Sequence, residues 1–443
     1  MNLGATAVLI YRGTQAASGL VLLYIVTIFF SQLEQGYYYL FVSITALQLF
    51  FDLGLNVVII NLVSHEWAVI ERCSQNDSVQ AQIARSRLES LFLFSIKWYG
   101  IGSLLLMSLF YFVGTYFFYN KGLPASQWHT QWIAHLLFSS LSFAISPILA
   151  VLEGCNKVAS VNLFRAIQVA LSYTFFYLSA SNNLGLTSIA AFSGSMLFLT
   201  VIYVVVVNYK FLLELLSCKG THKVSWVNEI LSLQGKISIQ AIFSYLGYYA
   251  LTPLVFHLHG AGAAGQLGLS LQVGMTIILL STTFVSAKVP AYGILCANGL
   301  AKLAHQKWKK DAYLAVLFAF FLTTILFLIQ KVQSPSMLAT MLDRGLPSIS
   351  SLLIYIGACA LVGVQAIAAL TRANKKEILT TIGVLSPILI IVLSMFLSRF
   401  LDVQAVVVSY FAVNLFVTLP MAAMIFRSNL EYLEFHNGND KYH

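Results

Sequence analysis

The chain has 443 residues, of which 59% are hydrophobic and only 9% are charged, and its mean hydropathy is +0.82. Soluble domains average roughly 25% charged residues, so this composition excludes a soluble globular protein of this length. The apolar stretches are long and continuous, which excludes a transmembrane β-barrel because barrel strands are short and alternate. The formal net charge of +9 does not indicate a nucleic-acid partner, since the basic residues follow the connections between apolar stretches.

Twelve apolar runs of helical length follow one another, and each matches the ~20 residues that cross ~30 Å of hydrocarbon. The first run is too long for the apolar core of a signal peptide and lacks a small-residue cleavage pattern, so it is interpreted as a membrane helix. The runs lie at 5–30, 37–63, 91–118, 131–152, 160–180, 186–208, 234–257, 266–287, 312–332, 347–370, 378–398 and 404–426. We therefore predict an all-α integral membrane protein with about twelve transmembrane helices.

The basic residues set the orientation of these helices. With the N-terminus in the cytosol, 18 of the 25 Lys and Arg residues fall on cytosolic connections or ends, and 4 fall on the opposite side. This bias predicts that both termini are cytosolic. The remaining three lie inside predicted helices, and they are Arg12, Lys97 and Arg165.

The two halves of the chain resemble each other. The fourth helix ends in residues 150–157 and the tenth in residues 368–375, with Ala, Leu, Asn and Lys at the same spacing around Asn156 and Asn374. A cap and a helix dipole explain Asn-Lys at each end separately, but they do not explain the shared spacing to the next outer turn. A short turn ending in Gly36 or Gly265 also precedes the second and the eighth helix. We predict two pseudo-symmetric six-helix lobes, divided as 1–208, a cytosolic linker 209–233, 234–427, and a cytosolic tail 428–443.

This pattern is similar to that of a known superfamily. The repeated Asn-Lys turn, together with residues 34–41 and 46–54, resembles the multidrug/oligosaccharidyl-lipid/polysaccharide (MOP) exporter superfamily. Within it, the chain most resembles bacterial polysaccharide-biosynthesis proteins of the O-antigen flippase type. The resemblance covers essentially the whole chain.

The resemblance implies both a function and a location. It implies a transporter of the bacterial inner membrane that carries an undecaprenyl-diphosphate-linked oligosaccharide to the outer leaflet by alternating access. Its expected partners are this lipid-linked oligosaccharide, membrane lipids and other polysaccharide-assembly membrane proteins. We expect no cofactor, no metal and no enzymatic activity, and the absence of a phosphate-binding loop motif assigns the energy source to ion gradients, membrane potential or substrate consumption.

Charged residues at membrane depth are the candidate substrate-binding residues, because an ionised side chain there needs a partner or a cavity. Arg12 lies about two turns into the first helix and Asp52 about three turns from the cytosolic end of the second. Either Arg12 binds the substrate's diphosphate with Asp52 as a movable partner, or the two form a permanent ion pair. The resemblance favours the first interpretation, since lipid-flipping members line the N-terminal lobe with Arg.

Lys97 and Arg165 lie closer to the cytosolic ends of their helices. They either extend towards the headgroups, as long cationic side chains near helix ends do, or join a cationic substrate pocket in the first lobe. Glu34 and Glu153 are expected to be solvated or capping residues at helix ends. Residues 37–39, three consecutive tyrosines, are expected to form part of an aromatic belt at the outer interface.

Two other functions compete with the flippase. A small-molecule or drug antiporter of the same fold needs an acid deep in one lobe as its coupling site, and Asp52 is the candidate. A membrane-embedded glycosyltransferase or polymerase needs long outer loops with several acids, Arg and His. The outer connections of this sequence are short and contain few such groups, which disfavours the enzyme.

Overall fold

The computed structural model describes residues 3–52, 54–73, 79–119, 121–216, 243, 247–298, 300–332, 337–374 and 378–429. These ranges are helical apart from short turns, and no strand occurs in them. The chain divides into two compact units, Met1–Tyr245 and Leu246–His443. Most of the predicted linker, the first part of the predicted seventh helix and nearly all of the predicted tail lie outside the described residues.

The first unit contains nine helices in its described residues. They are α1 Leu3–Phe29, α2 Gln32–Thr45, α3 Gln48–Asp52, α4 Leu55–Cys73, α5 Val79–Phe118, α6 Ala125–Leu152, α7 Val158–Ser181, α8 Thr187–Ile202 and α9 Tyr209–Leu216. Two π-helical turns, Glu153–Lys157 and Tyr203–Val207, continue α6 and α8. Helix α1 packs along α7, α4 along α5, α5 along α6, and α8 on both α6 and α7.

The second unit contains eight helices in its described residues. They are α10 Leu251–Ser286, α11 Val289–Ala297, α12 Ala301–Val332, α13 Met337–Asp343, α14 Ser348–Ala373, α15 Thr380–Leu401, α16 Gln404–Ala412 and α17 Leu419–Ser428. A π-helical turn, Val413–Thr418, joins the last two. Helix α14 is central, because it packs on α10, α12 and α16, while α15 packs on α16.

The length and composition of these helices confirm the predicted all-α membrane fold. Nine helical stretches in the described residues are long and apolar enough to cross a bilayer. Two of them span two predicted runs or parts of runs: Ala125–Ser181 includes the fourth and fifth, and Leu251–Cys296 includes the end of the seventh and the eighth. Large apolar side chains such as Phe112 and Phe198 are about two-thirds exposed, as expected when lipid is the solvent.

The second predicted run, 37–63, is not one helix. It is divided among α2, α3 and α4, with breaks after Thr45 and around Gly54, whose φ of +70° is in the left-handed region that glycine adopts without strain. Periodicity does not reveal such a break because the apolar residues continue across it. This broken helix places Asp52 at a helix end, where the sequence predicted a helix interior.

The turns before the second and eighth helices lie earlier than predicted. Helix α2 begins after Ser31, whose side chain accepts a hydrogen bond from the N–H of Glu34 while the Glu34 carboxylate accepts one from the N–H of Ser31. Helix α10 leaves helical geometry at Gly260, with φ of +86°. Gly36 and Gly265 each follow these turns by five residues and lie inside helices. Gly36 and Gly265 therefore occupy matching positions in the two halves, although the turns themselves lie five residues earlier than predicted.

The Asn-Lys turns differ between the two units. Asn374 caps α14, and its side chain donates to the carbonyl of Leu370 at 3.2 Å. Asn156 has φ of +62° inside a π-helical turn, from which the chain continues directly into α7. The outer turns that follow are alike, because Gly185 and Asp402 both have positive φ, of +51° and +45°.

The three consecutive tyrosines do not form an interfacial belt. Tyr37, Tyr38 and Tyr39 are all at most 7% exposed. Tyr37 stacks on Phe118, and Tyr38 stacks on Phe176. They form part of an aromatic core inside the first unit, because residues that follow one another on α2 are enclosed by helices on several sides.

Candidate functional site

Arg12 lies on an exposed face of α1. Its position is 17 residues before Phe29, which is ~26 Å along the helix axis. In the part of the chain that the structure describes, its side chain makes no hydrogen bond and no ion pair. The neighbouring Tyr11 faces α7 instead, where the guanidinium of Arg165 lies 6.0 Å from its ring centroid. Arg12 is thus a cation at membrane depth without an acidic partner among the described residues.

Asp52 is held at the break in the second crossing. Its carboxylate accepts hydrogen bonds from the hydroxyl of Tyr99, from the side-chain amide of Asn56 at 2.7 Å, and from the backbone N–H groups of Gly54 and Asn56. These two N–H groups belong to the start of α4, where no preceding turn can satisfy them. Asp52 therefore caps α4 and ties it to α5.

The predicted meeting of Arg12 and Asp52 does not occur in this structure. Neither a hydrogen bond nor an ion pair joins them within the described ranges, and the carboxylate of Asp52 already has several donors. Arg12 and Asp52 would lie at similar depth if the second crossing were one straight helix. Because that helix is broken, Asp52 turns towards Tyr99 and the first turn of α4.

Arg165 is paired. Its guanidinium lies 2.9 Å from the Glu153 carboxylate, and the side-chain amide of Asn162 donates to the same oxygen at 2.8 Å. The Glu153 side chain is 10% exposed and that of Arg165 is 26% exposed. The π-helical turn that contains Glu153 brings it against the first turns of α7, so this acid neutralises the cation within the lobe.

Lys97 lies on an exposed face of α5, a helix of 40 residues that is longer than a bilayer is thick. It is 21 residues before Phe118, ~32 Å along the axis, which places it near the inner boundary of the hydrocarbon. Like Arg12, it has no hydrogen bond or ion pair in the described parts of the chain.

The four candidate residues therefore form two classes. Asp52 and Arg165 are engaged with partners that fix helices to one another, whereas Arg12 and Lys97 are exposed cations on α1 and α5. Sequence reasoning missed the partners Tyr99, Asn56 and Glu153. The order Asp52, Gly54, Asn56 carries a usable signal, because an Asp before a glycine and a new apolar run is typical of a helix start.

A further pair of charged contacts was also missed, one in each unit. Glu66 on α4 accepts from Arg87 on α5 at 2.7 Å. Asp311 on α12 accepts from Lys288, at the end of α10, at 2.5 Å and from the hydroxyl of Tyr292 at 2.6 Å. Each contact joins the second membrane crossing of its unit to the third. In the first unit the acid belongs to the second crossing and the base to the third, and in the second unit this order is reversed.

Similarity to known proteins is found in the three-dimensional structure and not in the sequence. No protein-family model matches the chain, and no curated protein sequence matches it. The lipid II flippase MurJ in an inward closed conformation is similar with a TM-score of 0.62 at 12% identity, over 99% of this chain and 91% of that chain. An inward-facing multidrug resistance MATE family transporter of the MOP superfamily is similar with a TM-score of 0.57 at 11% identity, over 95% and 99%.

A third structure, the Vibrio cholerae MATE transporter VcmN in the bent form, has a TM-score of 0.52 at 12% identity, over 97% and 98%. The chain has the fold of the MOP exporter superfamily. The resemblance inferred from the repeated turns is thereby confirmed at the level of fold. At these identities the likeness extends to the MOP fold and not to a substrate, so the choice between a flippase and an antiporter depends on the side chains of this chain.

Proposed function

We propose that the protein is a transporter that flips an undecaprenyl-diphosphate-linked oligosaccharide from the cytosolic to the outer leaflet of the bacterial inner membrane by alternating access, for surface polysaccharide assembly. The observation that carries the proposal is a difference in partners between the acidic and the basic side chains of the first unit. The acids Asp52 and Glu153 have donors, whereas the cations Arg12 and Lys97 have no acidic partner in the described residues.

An excess of exposed positive charge favours an anionic substrate. A cation near the edge of the hydrocarbon needs a counter-charge or water, and the phosphate of a substrate lipid supplies the counter-charge at that level. A diphosphate provides several negative oxygens, and the planar fork of Arg12 can donate two parallel hydrogen bonds to them. Lys97 adds a second cation without a fixed geometry. These two residues are assigned to binding the diphosphate.

The depth of the two residues supports a lipid-linked substrate. They lie ~26 Å and ~32 Å from the outer ends of α1 and α5, near the inner boundary of a hydrocarbon layer ~30 Å thick. With the orientation predicted from the basic residues, this is the level of the cytosolic leaflet's phosphates. A polyprenyl diphosphate in that leaflet therefore presents its charge at the height of Arg12 and Lys97.

Arg165 and Asp52 are assigned a positioning role in this proposal. Glu153 neutralises Arg165, so this arginine adds little net charge for a substrate. Asp52 fixes the start of α4 against Tyr99 of α5. Both contacts hold the helices that carry or adjoin the two exposed cations.

The antiporter is the second candidate, and Asp52 is the group on which it depends. The MATE transporters among the similar structures keep this candidate open at the level of fold. A coupling acid needs oxygen lone pairs available to a cation or a proton. In this structure the carboxylate accepts from Tyr99, from the Asn56 side chain and from two backbone N–H groups, which favours the capping role over ion binding.

Reconstituted transport separates the candidates. The purified chain is placed in liposomes with a fluorescent polyprenyl-diphosphate oligosaccharide, and a membrane-impermeant quencher measures its movement between leaflets. We expect faster movement of this lipid than of the matching polyprenyl monophosphate, which has less charge. Movement of a cationic dye driven by a proton or sodium gradient, with no movement of the diphosphate lipid, would contradict the proposal and support the antiporter.

A further inference from the structure

The two units differ in charge at the end that the basic residues predict to be cytosolic. The basic residues described at this end of the second unit are Lys288, Lys302, Lys307, Lys309, Lys310, Arg372 and Arg427. The acid described there is Asp311, and Lys288 and Tyr292 already donate to it. In the first unit, by contrast, several acids lie among the basic residues at this end, and they are Glu66, Glu71, Glu89, Glu153 and Glu214. The second unit therefore has a large excess of positive charge at this end.

Helices α12 and α17 meet at this end through aromatic rings. The ring of Phe426 on α17 lies 5.1 Å from the ring of Trp308 and 5.7 Å from that of His305 on α12, measured between centroids. Trp308 also donates through Nε1 to the backbone carbonyl of Ala366 on α14 at 2.7 Å. The start of α12 is therefore fixed beside the end of α17, and both helices pack on α14.

Lys309 and Arg427 lie on the same side of this helix pair. Each follows one of the contacting aromatic residues, Trp308 or Phe426, and so lies ~100° further round its helix. Because α12 begins where α17 ends, the two helices run in opposite directions, and both rotations lead to the same side. Lys302 lies about two turns before Lys309 on the same face of α12. We call Lys302, Lys309 and Arg427 the α12–α17 surface.

The three side chains of the α12–α17 surface are exposed. In the part of the chain described by the structure, none of them makes a hydrogen bond or an ion pair. Their positive charges are therefore available to an anion.

The α12–α17 surface reaches the level of the lipid phosphates. Lys309 is 23 residues before Val332, the outer end of α12, and so lies ~35 Å from it along the axis. Arg427 is 23 residues after Gln404, where α16 begins, which gives the same ~35 Å along α16 and α17. Because the hydrocarbon layer is ~30 Å thick, both cations lie just beyond its inner boundary. Tyr313, one turn from Lys309, is exposed, as is typical of tyrosine at a membrane interface.

We propose that the α12–α17 surface binds one anionic phospholipid of the cytosolic leaflet. Arg427 donates two parallel hydrogen bonds to the lipid phosphate, and Lys309 places a second cation against the same group. Lys302 lies further from the membrane and adds to the positive potential around the headgroup. The acyl chains follow the exposed apolar residues that continue the two faces into the membrane, Phe320 on α12 and Phe416 on α17.

The charges at this end disfavour other occupants. A zwitterionic headgroup places its ammonium among lysines, and Asp311 is already engaged by Lys288 and Tyr292. A free phosphate or an acidic soluble protein does not account for cations at phosphate depth with exposed apolar residues on their membrane side. An anionic phospholipid supplies the negative charge and the acyl chains together.

Native mass spectrometry of the purified full-length chain tests this proposal. The protein is equilibrated with equal amounts of phosphatidylglycerol, phosphatidylethanolamine and phosphatidylcholine, and the lipids that remain bound are counted. We expect phosphatidylglycerol to be retained at least about tenfold over each zwitterionic lipid, since two cations contribute. Higher salt should reduce this preference, because it screens exposed charges. The mixture contains no polyprenyl diphosphate, so the result is independent of the proposed transport.

Two substitutions and a matched control locate the lipid. Lys309→Ala and Arg427→Ala should each lower phosphatidylglycerol retention by about fivefold and leave phosphatidylethanolamine retention unchanged. Lys310→Ala removes the same charge at nearly the same depth. Because Lys310 lies ~100° further round α12 and away from α17, its loss should change retention by less than about twofold. Lys309→Gln and Arg427→Gln replace any alanine variant that does not fold.

Equal retention of phosphatidylglycerol and phosphatidylethanolamine by the unaltered chain would overturn the proposal. An equal loss in the Lys310→Ala and Lys309→Ala proteins would also overturn it, because the lipid would then respond to overall charge and not to this surface. Glu431 and Glu434 follow α17 in the sequence. A severalfold rise in retention on Glu431→Gln with Glu434→Gln would make these acids the occupant in place of a lipid.

Discussion

In the first unit, charged side chains lie one or more turns inside the predicted apolar runs, whereas in the second unit they lie near the ends of these runs. Arg12, Asp52, Lys97 and Arg165 belong to the first group. In the second unit, α12 has no charged residue between Asp311 and Lys331, and the described transmembrane helices show the same restriction. A repeated fold thus carries two different charge patterns, and the proposed binding of an anion by the first unit depends on this difference.

The second and eighth crossings show the same asymmetry in the backbone. The second crossing is broken near Asp52, whereas α10 is helical from Ala261 to Ser286. Breaks in membrane helices need compensating donors and acceptors, and Asp52 with Tyr99 supplies them in the first unit. The break therefore coincides with the unit that carries the membrane-depth charges.

The largest expected effect is on the rate of lipid transport, which should depend on the exposed cations of the first unit and not on those of the second. Arg12→Ala and Lys97→Ala should each slow transport of the diphosphate lipid by about tenfold or more, because each removes a charge-assisted contact worth ~1.5–3 kcal/mol. Arg12→Lys should recover only part of the rate, since an ammonium lacks the two-pronged geometry. Rates in liposomes are normalised to folded protein.

Arg399→Ala and Lys307→Ala are the matched controls for this prediction. Both residues are exposed on helices of the second unit, α15 and α12. They should transport at close to the rate of the unaltered protein. If they lose as much activity as Arg12→Ala and Lys97→Ala, the difference between the units has no functional meaning.

Helix packing gives the next largest effect. A Cβ at Gly114 would lie 2.5 Å from the Trp132 ring, and one at Gly357 would lie 2.9 Å from the Tyr410 ring. Gly114→Ala and Gly357→Ala should each lower the free energy of unfolding by ~1–3 kcal/mol through overpacking. Gly100→Ala and Gly383→Ala, where no atom lies within 4 Å of the new Cβ, serve as controls in thermal unfolding and should not show that loss.

The ion pairs Glu66–Arg87 and Asp311–Lys288 should differ in their contribution to the free energy of unfolding. Asp311→Ala leaves the hydroxyl of the buried Tyr292 without its acceptor, at a cost of about 2 kcal/mol in the free energy of unfolding. Glu66→Ala removes an acid that is 12% exposed, compared with 7% for Asp311, and should cost about 0.5–1 kcal/mol. Denaturant midpoints measure both, and Tyr292→Phe with a loss as large as that of Asp311→Ala would assign the whole effect to the hydroxyl.

The smallest expected effect concerns Asp52. Asp52→Asn should change the free energy of unfolding by less than about 1 kcal/mol, because Asn caps helices nearly as well as Asp. Asp52→Ala should cost more, since Tyr99 and the first N–H groups of α4 then lack their acceptor. We also expect Asp52→Asn to keep most of the lipid transport. Complete loss of transport in a folded Asp52→Asn protein would favour the antiporter hypothesis, in which Asp52 is the coupling acid.

Composition and length were sufficient to predict the fold class. Apolar runs of about twenty residues allow few structures in lipid, and the Asn-Lys turns marked the repeat. The break at Gly54 and the π-helical turn around Asn156 were missed, because apolar periodicity continues across both. The burial of residues 37–39 was missed for a different reason, since tyrosine is equally at home at an interface and in an aromatic core.

The candidate site was predictable only in part. Helix membership identified Arg12, Asp52, Lys97 and Arg165 as membrane-depth charges, but not their partners. Glu153 reaches Arg165 across twelve residues through an irregular turn, and Tyr99 reaches Asp52 from another helix. Contacts of this kind depend on side-chain direction and helix rotation, which spacing along one sequence does not fix.

The affinity of the purified protein for a polyprenyl diphosphate tests the central claim most directly. The Kd is measured for the unaltered chain, for Arg12→Ala with Lys97→Ala, and for Lys307→Ala with Arg399→Ala. We predict that the first pair raises the Kd by at least about tenfold and that the second pair changes it by less than about twofold. An equal change in both pairs, or no change in either, would contradict the assignment of anion binding to the first unit.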